Sequence, residues 1–241
     1  MLRAEVAGLL EGHGIEIGPL HHPFPVPPTV DVTYVDRLDH DGLLAHYAGD
    51  ENVPANKITV PEIVADATTL DAIDDASFDF VISSHVIEHL SNPIEALVNW
   101  RRVLREGGVL VCVVPDSRYT FDKGRPVTSY EHLCWDYCNS TSELKRLSDM
   151  FHIAEGLFVA GATASVEVAV ETGRNAVDTS PDVHYHVWDY ASFGDHLSRL
   201  TAAGLAFEVV HQGCDGTVEM VFGLRAIPGR ARPVIEAPVA P

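Results

Sequence analysis

The sequence predicts an α/β domain built on a doubly wound, mostly parallel sheet of seven strands. Short apolar segments alternate with segments of helical periodicity. In the first half these apolar segments recur at intervals of roughly 20–30 residues, as in units where a helix crosses between parallel strands. Residues 109–115 (VLVCVVP) are apolar almost throughout, as expected for a strand that is covered on both faces.

The elements follow in chain order. A short helix opens the chain at MLRAEVAGLLEGHG, and further helices are predicted at residues 42–48, 92–105 and 193–203. The helix at 92–105 repeats Ile94, Leu97 and Val98 at helical spacing and stops at the pair Gly107–Gly108. Seven strands are predicted, the last two running antiparallel, at residues 13–18, 30–36, 61–67, 78–84, 109–115, 206–212 and 217–226.

The charge of the chain limits its partners. Acidic residues outnumber basic ones by 35 to 16, for a formal net charge of −19. Such a surface repels phosphate, so we expect neither nucleic acid nor an anionic membrane as a partner. No apolar run approaches the ~18 residues of a membrane span, and the start lacks a signal peptide. We therefore expect a cytoplasmic protein.

Candidate binding residues lie where the predicted strands end. Ligands of open parallel sheets bind beyond the carboxyl ends of the strands, near the switch in strand order. A glycine there allows close backbone approach, and a carboxylate can accept hydrogen bonds from ribose hydroxyls. The residues at these positions, strand by strand, are Glu16 and Gly18, Asp36, Asp66, Ser84 and His85, and Asp116.

Four segments carry a family resemblance: Glu16-Ile17-Gly18-Pro19, Val35-Asp36, Asp66-Ala67 and FDFVISSHVIEHLSNPIEALVNWRRVLREGGVLVCVVPD. Over roughly residues 13–116 they resemble class I S-adenosylmethionine (SAM)-dependent methyltransferases, which have a Rossmann-like fold. The resemblance implies that Gly18 and Pro19 back the methionine portion of SAM and that Asp36 binds the ribose. By the same resemblance, Asp66 and Ala67 flank the adenine, whereas Ser84 and His85 contact the amino-acid end. Glu16 is expected either to bind the donor or to pair locally.

One part of the motif departs from the family. The glycine loop of these methyltransferases usually contains Gly-x-Gly, whereas this chain has GPLHHP, with Leu20 in place of the second glycine. A dehydrogenase is the rival interpretation, because its second strand also ends on an acidic residue. It would need G-x-G-x-x-G to seat a pyrophosphate on a helix N-terminus, and this loop does not provide it.

Residues 117–190 are predicted to form an inserted lid that binds the acceptor. A hydroxyl acceptor needs a base or a cation to take its proton at neutral pH. The catalytic candidates are His132 as the base, with Asp122 and Glu131, and Asp116, Asp122 and Glu131 could hold Mg²⁺. The run TFDKGRPVTSYEHL is similar to methyltransferases of polysaccharide biosynthesis. This resemblance implies a sugar O-methyltransferase, of the methylmannose-polysaccharide type.

Several alternatives stay open. Glu131 and His132 could simply brace the helix that they begin, and Cys134 and Cys138 with His132 could bind zinc, although buried thiols are favoured. The protein could methylate a small molecule at nitrogen or oxygen, or it could be a non-catalytic scaffold. Residues 1–227 are expected to form a single domain, with the donor half at 1–116 and a mobile tail at 228–241. The apolar last strands are compatible with a homodimer.

Overall fold

A seven-stranded sheet forms the centre of the computed structural model, which describes residues 2–163, 165–178 and 182–235. The strand order is β3-β2-β1-β4-β5-β7-β6; β1 to β5 are parallel, and β7 runs antiparallel to both β5 and β6. The strands are β1 His13–Ile17, β2 Asp31–Asp36, β3 Ile63–Val64, β4 Phe78–Ser84, β5 Leu104–Pro115, β6 Phe207–Cys214 and β7 Glu219–Ala226. This arrangement confirms the predicted fold class.

The helices pack on the sheet or form the insertion. They are α1 Leu2–Ala7, α2 His40–His46, α3 Pro93–Val103, α4 Tyr130–Cys138, α5 Glu143–Val159, α6 Val166–Ala176 and α7 Tyr190–Ala202. Single 3₁₀ turns occupy Ala55–Lys57 and Ile87–His89. The side chain of Asn92 accepts a hydrogen bond from the backbone of Glu95 and so begins α3. None of the helices within the described residues is long and apolar enough to cross a membrane.

The central strands are buried on both faces, as their composition requires. Val111 and Val113 of β5 lie in a cluster with Val6 and Leu10 from the α1 side of the sheet. Leu110, Cys112 and Val114 alternate with them and join the cluster on the opposite face, which includes Ile94, Leu97 and Trp100 of α3. The alternation explains why an unbroken apolar run is a strand here and not a helix.

The largest differences from the predicted boundaries lie at β3, at the start of β5 and in the tail, whereas the other elements shift by a few residues. Strand β3 is reduced to two residues, whereas β5 begins at Leu104 because that residue pairs with Phe78. Of the predicted mobile tail, residues 228–235 lie against the domain: the Val234 amide donates to the Ala203 carbonyl at 2.7 Å, and Arg232 pairs with Glu95 at 2.9 Å. The rest of that predicted tail lies outside the described residues.

Candidate active site

A cavity of about 490 Å³ opens at the carboxyl edge of the sheet. It lies where the chain order of the strands reverses, between β1 and β4, which is where doubly wound sheets bind ligands. Five of the predicted donor-binding residues line its wall: Gly18, Asp36, Asp66, Ala67 and His85.

The glycine loop keeps its shape despite Leu20. Gly18 has φ +62°, and its amide donates to the Val35 carbonyl at 2.8 Å. Leu20 has φ +44°, a left-handed conformation that costs a residue with a side chain about 1–2 kcal/mol. Its side chain packs against the cluster that contains Leu43 and Ile58, so apolar burial offsets this strain. The backbone therefore holds a glycine-like conformation with a leucine in place.

Two carboxylates belong to the cavity wall in different ways. Asp36 is buried, and burial raises its pKa against the lowering effect of the Arg37 and Leu38 amides. A buried carboxylate facing a cavity favours a ligand that donates hydrogen bonds, such as a pair of ribose hydroxyls. Asp66 is exposed, and its Oδ1 accepts from the Thr68 and Thr69 amides at 2.8 and 3.2 Å, so it also shapes the turn.

His85 lies in a strained position at the end of β4. Its φ is +56°, which is uncommon for a residue with a side chain and occurs often at functional sites. Its Nε2 lies 2.9 Å from Glu219 Oε1, and its Nδ1 lies 3.5 Å from Glu88 Oε1. Burial disfavours the charged ring, but the hydrogen bonds to these carboxylates outweigh it and raise the pKa of His85 to about 9.

The other three predicted donor-binding residues lie outside the cavity lining. Glu16 is buried and accepts a hydrogen bond from the Phe24 amide at 2.8 Å, which ties the far end of the glycine loop to β1. Burial is the main cause that raises its pKa to about 7. Pro19 is buried, and Ser84 Oγ accepts from Arg3 Nη2 at 3.2 Å.

Asp122 lies in a buried ionic network of the insertion. Its Oδ1 accepts from Arg125 Nη1 at 2.9 Å, and its Oδ2 lies 2.6 Å from His184 Nδ1. The Arg125 guanidinium also donates to Glu155 of α5 at 3.1 Å and to the His184 carbonyl at 2.8 Å. Asp122 thus holds together the loop before α4, helix α5 and the chain segment at 182–189.

The structure does not assemble the predicted Mg²⁺ site. Asp116 forms a short ion pair with Arg118, and Glu131 is exposed and paired with Arg199 at 2.7 Å, while Asp122 is occupied as described. Each carboxylate has its own cationic partner, so the three do not converge on one point. Glu131, predicted as a catalytic residue, does not line the cavity, and its ion-pair partner Arg199 lies on α7.

His132 is located in a cluster of the insertion and not in the cavity wall. Its Nε2 lies 2.9 Å from His152 Nε2 and 3.2 Å from Asp136 Oδ2, and the buried ring of His186 approaches the same carboxylate at 3.6 Å. The cysteines predicted as alternative zinc ligands, Cys134 and Cys138, are free, one buried and one exposed, and belong to neither of the candidate metal groups found among the described residues.

Several residues of the cavity wall carry no clear signal in the sequence. His89 lies on the turn after β4, and its Nδ1 is 3.0 Å from the Val183 carbonyl. Asp182 comes from the end of the insertion and accepts hydrogen bonds from Arg37 and Tyr47, both at 3.0 Å. Tyr185 follows it in the same segment. His89 matches a motif position of the family-like segment after the fourth strand, whereas Asp182 and Tyr185 lie in the insertion, where no local pattern marks them.

Comparison with known proteins finds a family match over part of the chain. Residues 31–112, from β2 into β5, match the methyltransferase domain family. The chain is similar to SAM-dependent methyltransferases. The resemblance predicted from the strand-end residues is therefore confirmed over the segment from β2 into β5.

Solved structures are similar to this chain at low sequence identity, and the first of the two described here supports the fold. A proposed methyltransferase from Bacillus halodurans C-125 has a TM-score of 0.51 at 14% identity, over 93% of this chain and 97% of that chain. A SAM-dependent methyltransferase from Methanosarcina mazei has a TM-score of 0.49 at 13% identity, over 92% and 97%. A 37.1 kDa protein of a Streptomyces fradiae transposon is 39% identical over 66 residues, which are 27% of this chain and 18% of that protein. The chain thus matches only a small part of that relative.

Proposed function

We propose that this protein transfers a methyl group from SAM to a hydroxyl of a sugar or oligosaccharide. The cavity at the switch in strand order supports the proposed binding of SAM. It is lined by Gly18, Asp36, Asp66 and Ala67, in the order expected from the resemblance to methyltransferases. These residues fit the donor: Asp36 would hold the ribose, Asp66 and Ala67 the adenine, and Gly18 the methionine portion. SAM, when bound, supplies an electrophilic methyl group on a sulfonium.

His89 is the base that we assign to this reaction. Its Nδ1–H donates to the Val183 carbonyl, which leaves the lone pair of Nε2 free to accept a proton. Burial is the main cause that lowers its pKa, so the ring is neutral at pH 7. The Glu88 carboxylate lies 4.0 Å from Nε2 and stabilises the ring once it is protonated. The acceptor oxygen gains the methyl group, its proton passes to His89, and the carbon–sulfur electron pair stays on sulfur.

Aromatic rings beside the cavity favour a sugar as the acceptor. Phe121 is 60% exposed, and its ring lies 4.8 Å from that of His184. His184 in turn contacts the ring of His89 edge-on, also at 4.8 Å, so an aromatic surface leads from solvent to the cavity wall. Exposed aromatic faces with neighbouring carboxylates suit the alternating C–H and hydroxyl surfaces of a pyranose ring. Phe121 also lies within the run that is similar to polysaccharide methyltransferases.

The donor half is tested by calorimetry with SAM and S-adenosylhomocysteine. We expect Asp36→Asn to weaken binding about 10–100-fold, because a hydrogen bond to a charged group is lost. Asp31→Asn is the matched control: it lies at the opposite, exposed end of the same strand and should leave affinity unchanged. Absence of binding to the wild type at millimolar donor would favour the scaffold alternative and overturn the proposal.

The acceptor half is tested by S-adenosylhomocysteine release with methyl glycosides of mannose, glucose and rhamnose, and with small amines. We expect turnover with a glycoside, and His89→Gln should lower kcat about 10²–10⁴-fold with donor affinity within a few-fold. His211→Gln on the edge strand β6 serves as the control histidine variant. Turnover with amines alone would point to the N-methyltransferase alternative.

A further inference from the structure

A second group of histidines lies in the insertion and has no part in the proposed transfer. His132 and Asp136 come from α4, His152 from α5, and His186 from the segment that leads to α7. The three rings surround one point, with centroids 4.9 Å apart for His132 and His152, 5.8 Å for His132 and His186, and 5.6 Å for His152 and His186. His132 and His186 bring imidazole nitrogens to the buried carboxylate of Asp136, and His152 contacts His132.

The distances between the ligand atoms match those around a metal ion. A tetrahedral ion with bonds of about 2.0–2.1 Å to nitrogen and oxygen holds its ligand atoms about 3.3 Å apart. His132 Nε2 lies 3.2 Å from Asp136 Oδ2, and His186 Nε2 lies 3.6 Å from the same oxygen. His152 Nε2 lies 2.9 Å from His132 Nε2, at hydrogen-bond distance. The potential ligand atoms of His132, Asp136 and His186 all lie within 4.8 Å of one another. The spacing is thus preorganised for an ion.

The burial of Asp136 indicates that a partner is missing. Its side chain is fully buried, yet neither oxygen accepts a hydrogen bond of good geometry within the described residues. A buried carboxylate without hydrogen bonds costs several kcal/mol unless a charge compensates it.

Lys145 is the competing partner of this carboxylate. Its ammonium lies 3.3 Å from Asp136 Oδ1, the oxygen that faces away from the two histidine contacts, and it also forms a short ion pair with Asp149. Asp149 thus neutralises Lys145, so Asp136, Lys145 and Asp149 together keep the net negative charge of one carboxylate. Lys145 fixes one oxygen of Asp136 and leaves Oδ2 directed at His132 and His186, which is the arrangement of an outer-shell partner of a metal ligand.

We propose that His132, His186 and Asp136 form a binding site for a transition-metal ion of the Zn²⁺ class, with His152 beside it. Two imidazoles and one carboxylate, with a fourth position left open, suit Zn²⁺ or Co²⁺, whereas Mg²⁺ requires oxygen ligands. His186 Nε2 contacts the Ser91 carbonyl at 3.3 Å, and a bound ion would replace that contact. The second candidate group, Glu88 with His89 and His184, is occupied differently, since His85 compensates Glu88 and Asp122 binds His184.

Such an ion would connect the insertion to the cavity. His186 is adjacent to Tyr185, which lines the cavity wall, and the Tyr185 amide donates to the Glu88 carbonyl at 2.8 Å. An ion shared by α4 and His186 would fix this segment and with it one side of the cavity. After chelation we expect faster hydrogen exchange at the amides of Tyr185 and Val187, with exchange in β5 unchanged.

The site does not depend on methyl transfer and is tested by metal content. The protein is treated with chelator, exposed to excess Zn²⁺, dialysed and assayed by elemental analysis. We expect one zinc per chain for the wild type and for His211→Gln, and almost none for His132→Gln and His186→Gln. Zn²⁺ should also raise the Tm of the wild type, whereas Mg²⁺ should not. A wild type that binds no zinc overturns the proposal.

Two further outcomes keep the test decisive. If His132→Gln and His186→Gln retain a full equivalent of zinc, the ion binds elsewhere and the assignment is wrong. If these variants do not fold, the wild type loaded with Co²⁺ gives the answer, because a tetrahedral site produces intense visible absorption. The weak spectrum of an octahedral ion would overturn the assignment.

Discussion

The carboxyl edge of the sheet and the insertion both hold several titratable side chains, but they hold them in different ways. At the sheet edge the strands present their terminal residues one by one to a cavity, as with Gly18, Asp36 and His85. In the insertion the charged groups are buried against one another, as with Asp122, Arg125 and His184. The first region is arranged to contact a ligand, and the second is arranged to hold helices together.

The difference teaches what a charged residue in a binding region does. A carboxylate that faces a cavity can accept hydrogen bonds from a ligand. A carboxylate enclosed by cationic side chains already accepts their hydrogen bonds and so stabilises the fold. Asp36 and Asp122 are both buried carboxylates of the same type, yet only Asp36 lines the cavity. Variants of the two should therefore fail in different assays.

Asp122→Asn should give the largest effect on stability. It keeps the shape of the side chain but leaves the buried guanidinium of Arg125 with only the partly exposed Glu155 as a carboxylate partner among the described residues. Loss of the buried partner costs about 3–5 kcal/mol in the free energy of unfolding. Urea denaturation measures this loss. Asp178→Asn is the control, because it breaks an exposed pair with Arg146 and should cost less than about 1 kcal/mol. Equal effects would contradict the contrast between buried and exposed pairs.

The sequence predicted the sheet edge better than the insertion for a physical reason. The carboxyl ends of parallel strands lie at the same edge of the sheet. Asp36 and His85 could therefore be assigned to one edge from strand boundaries alone. The positions of His132, His152 and His186 depend on how α4, α5 and a connecting segment pack, which no local pattern specifies. Glu131 shows the failure most clearly: it precedes His132 in sequence but points to Arg199 of α7.

Glu16→Gln tests a buried carboxyl that belongs to the sheet edge but not to its cavity wall. The pKa of Glu16 is 4.5 in the unfolded chain and about 7 in the folded protein. The folded state therefore binds more protons between these pH values. Wild-type stability should therefore fall as pH rises from 4.5 to 7, by up to about 3 kcal/mol, and then level off. Glutamine keeps an acceptor for the Phe24 amide and removes the ionisation, so its variant should lack this slope. Denaturation curves at several pH values measure it, and a parallel slope in the variant would contradict the assignment.

The smallest expected effect concerns the glycine loop, where the chain departs from its family. A protein with alanine at a given helix or strand position is normally more stable than one with glycine by about 0.5–1 kcal/mol, because glycine has more backbone freedom in the unfolded chain. At Leu20 the left-handed φ of +44° penalises any side chain, so Leu20→Gly should be more stable than Leu20→Ala by about 1 kcal/mol. Both variants lose the same packing against the Leu43 cluster, so the difference between them isolates the backbone strain. Thermal denaturation of the pair measures it. If alanine were the more stable, the loop would not keep the glycine-like conformation, and donor binding would have to tolerate a differently shaped backbone at this edge of the cavity.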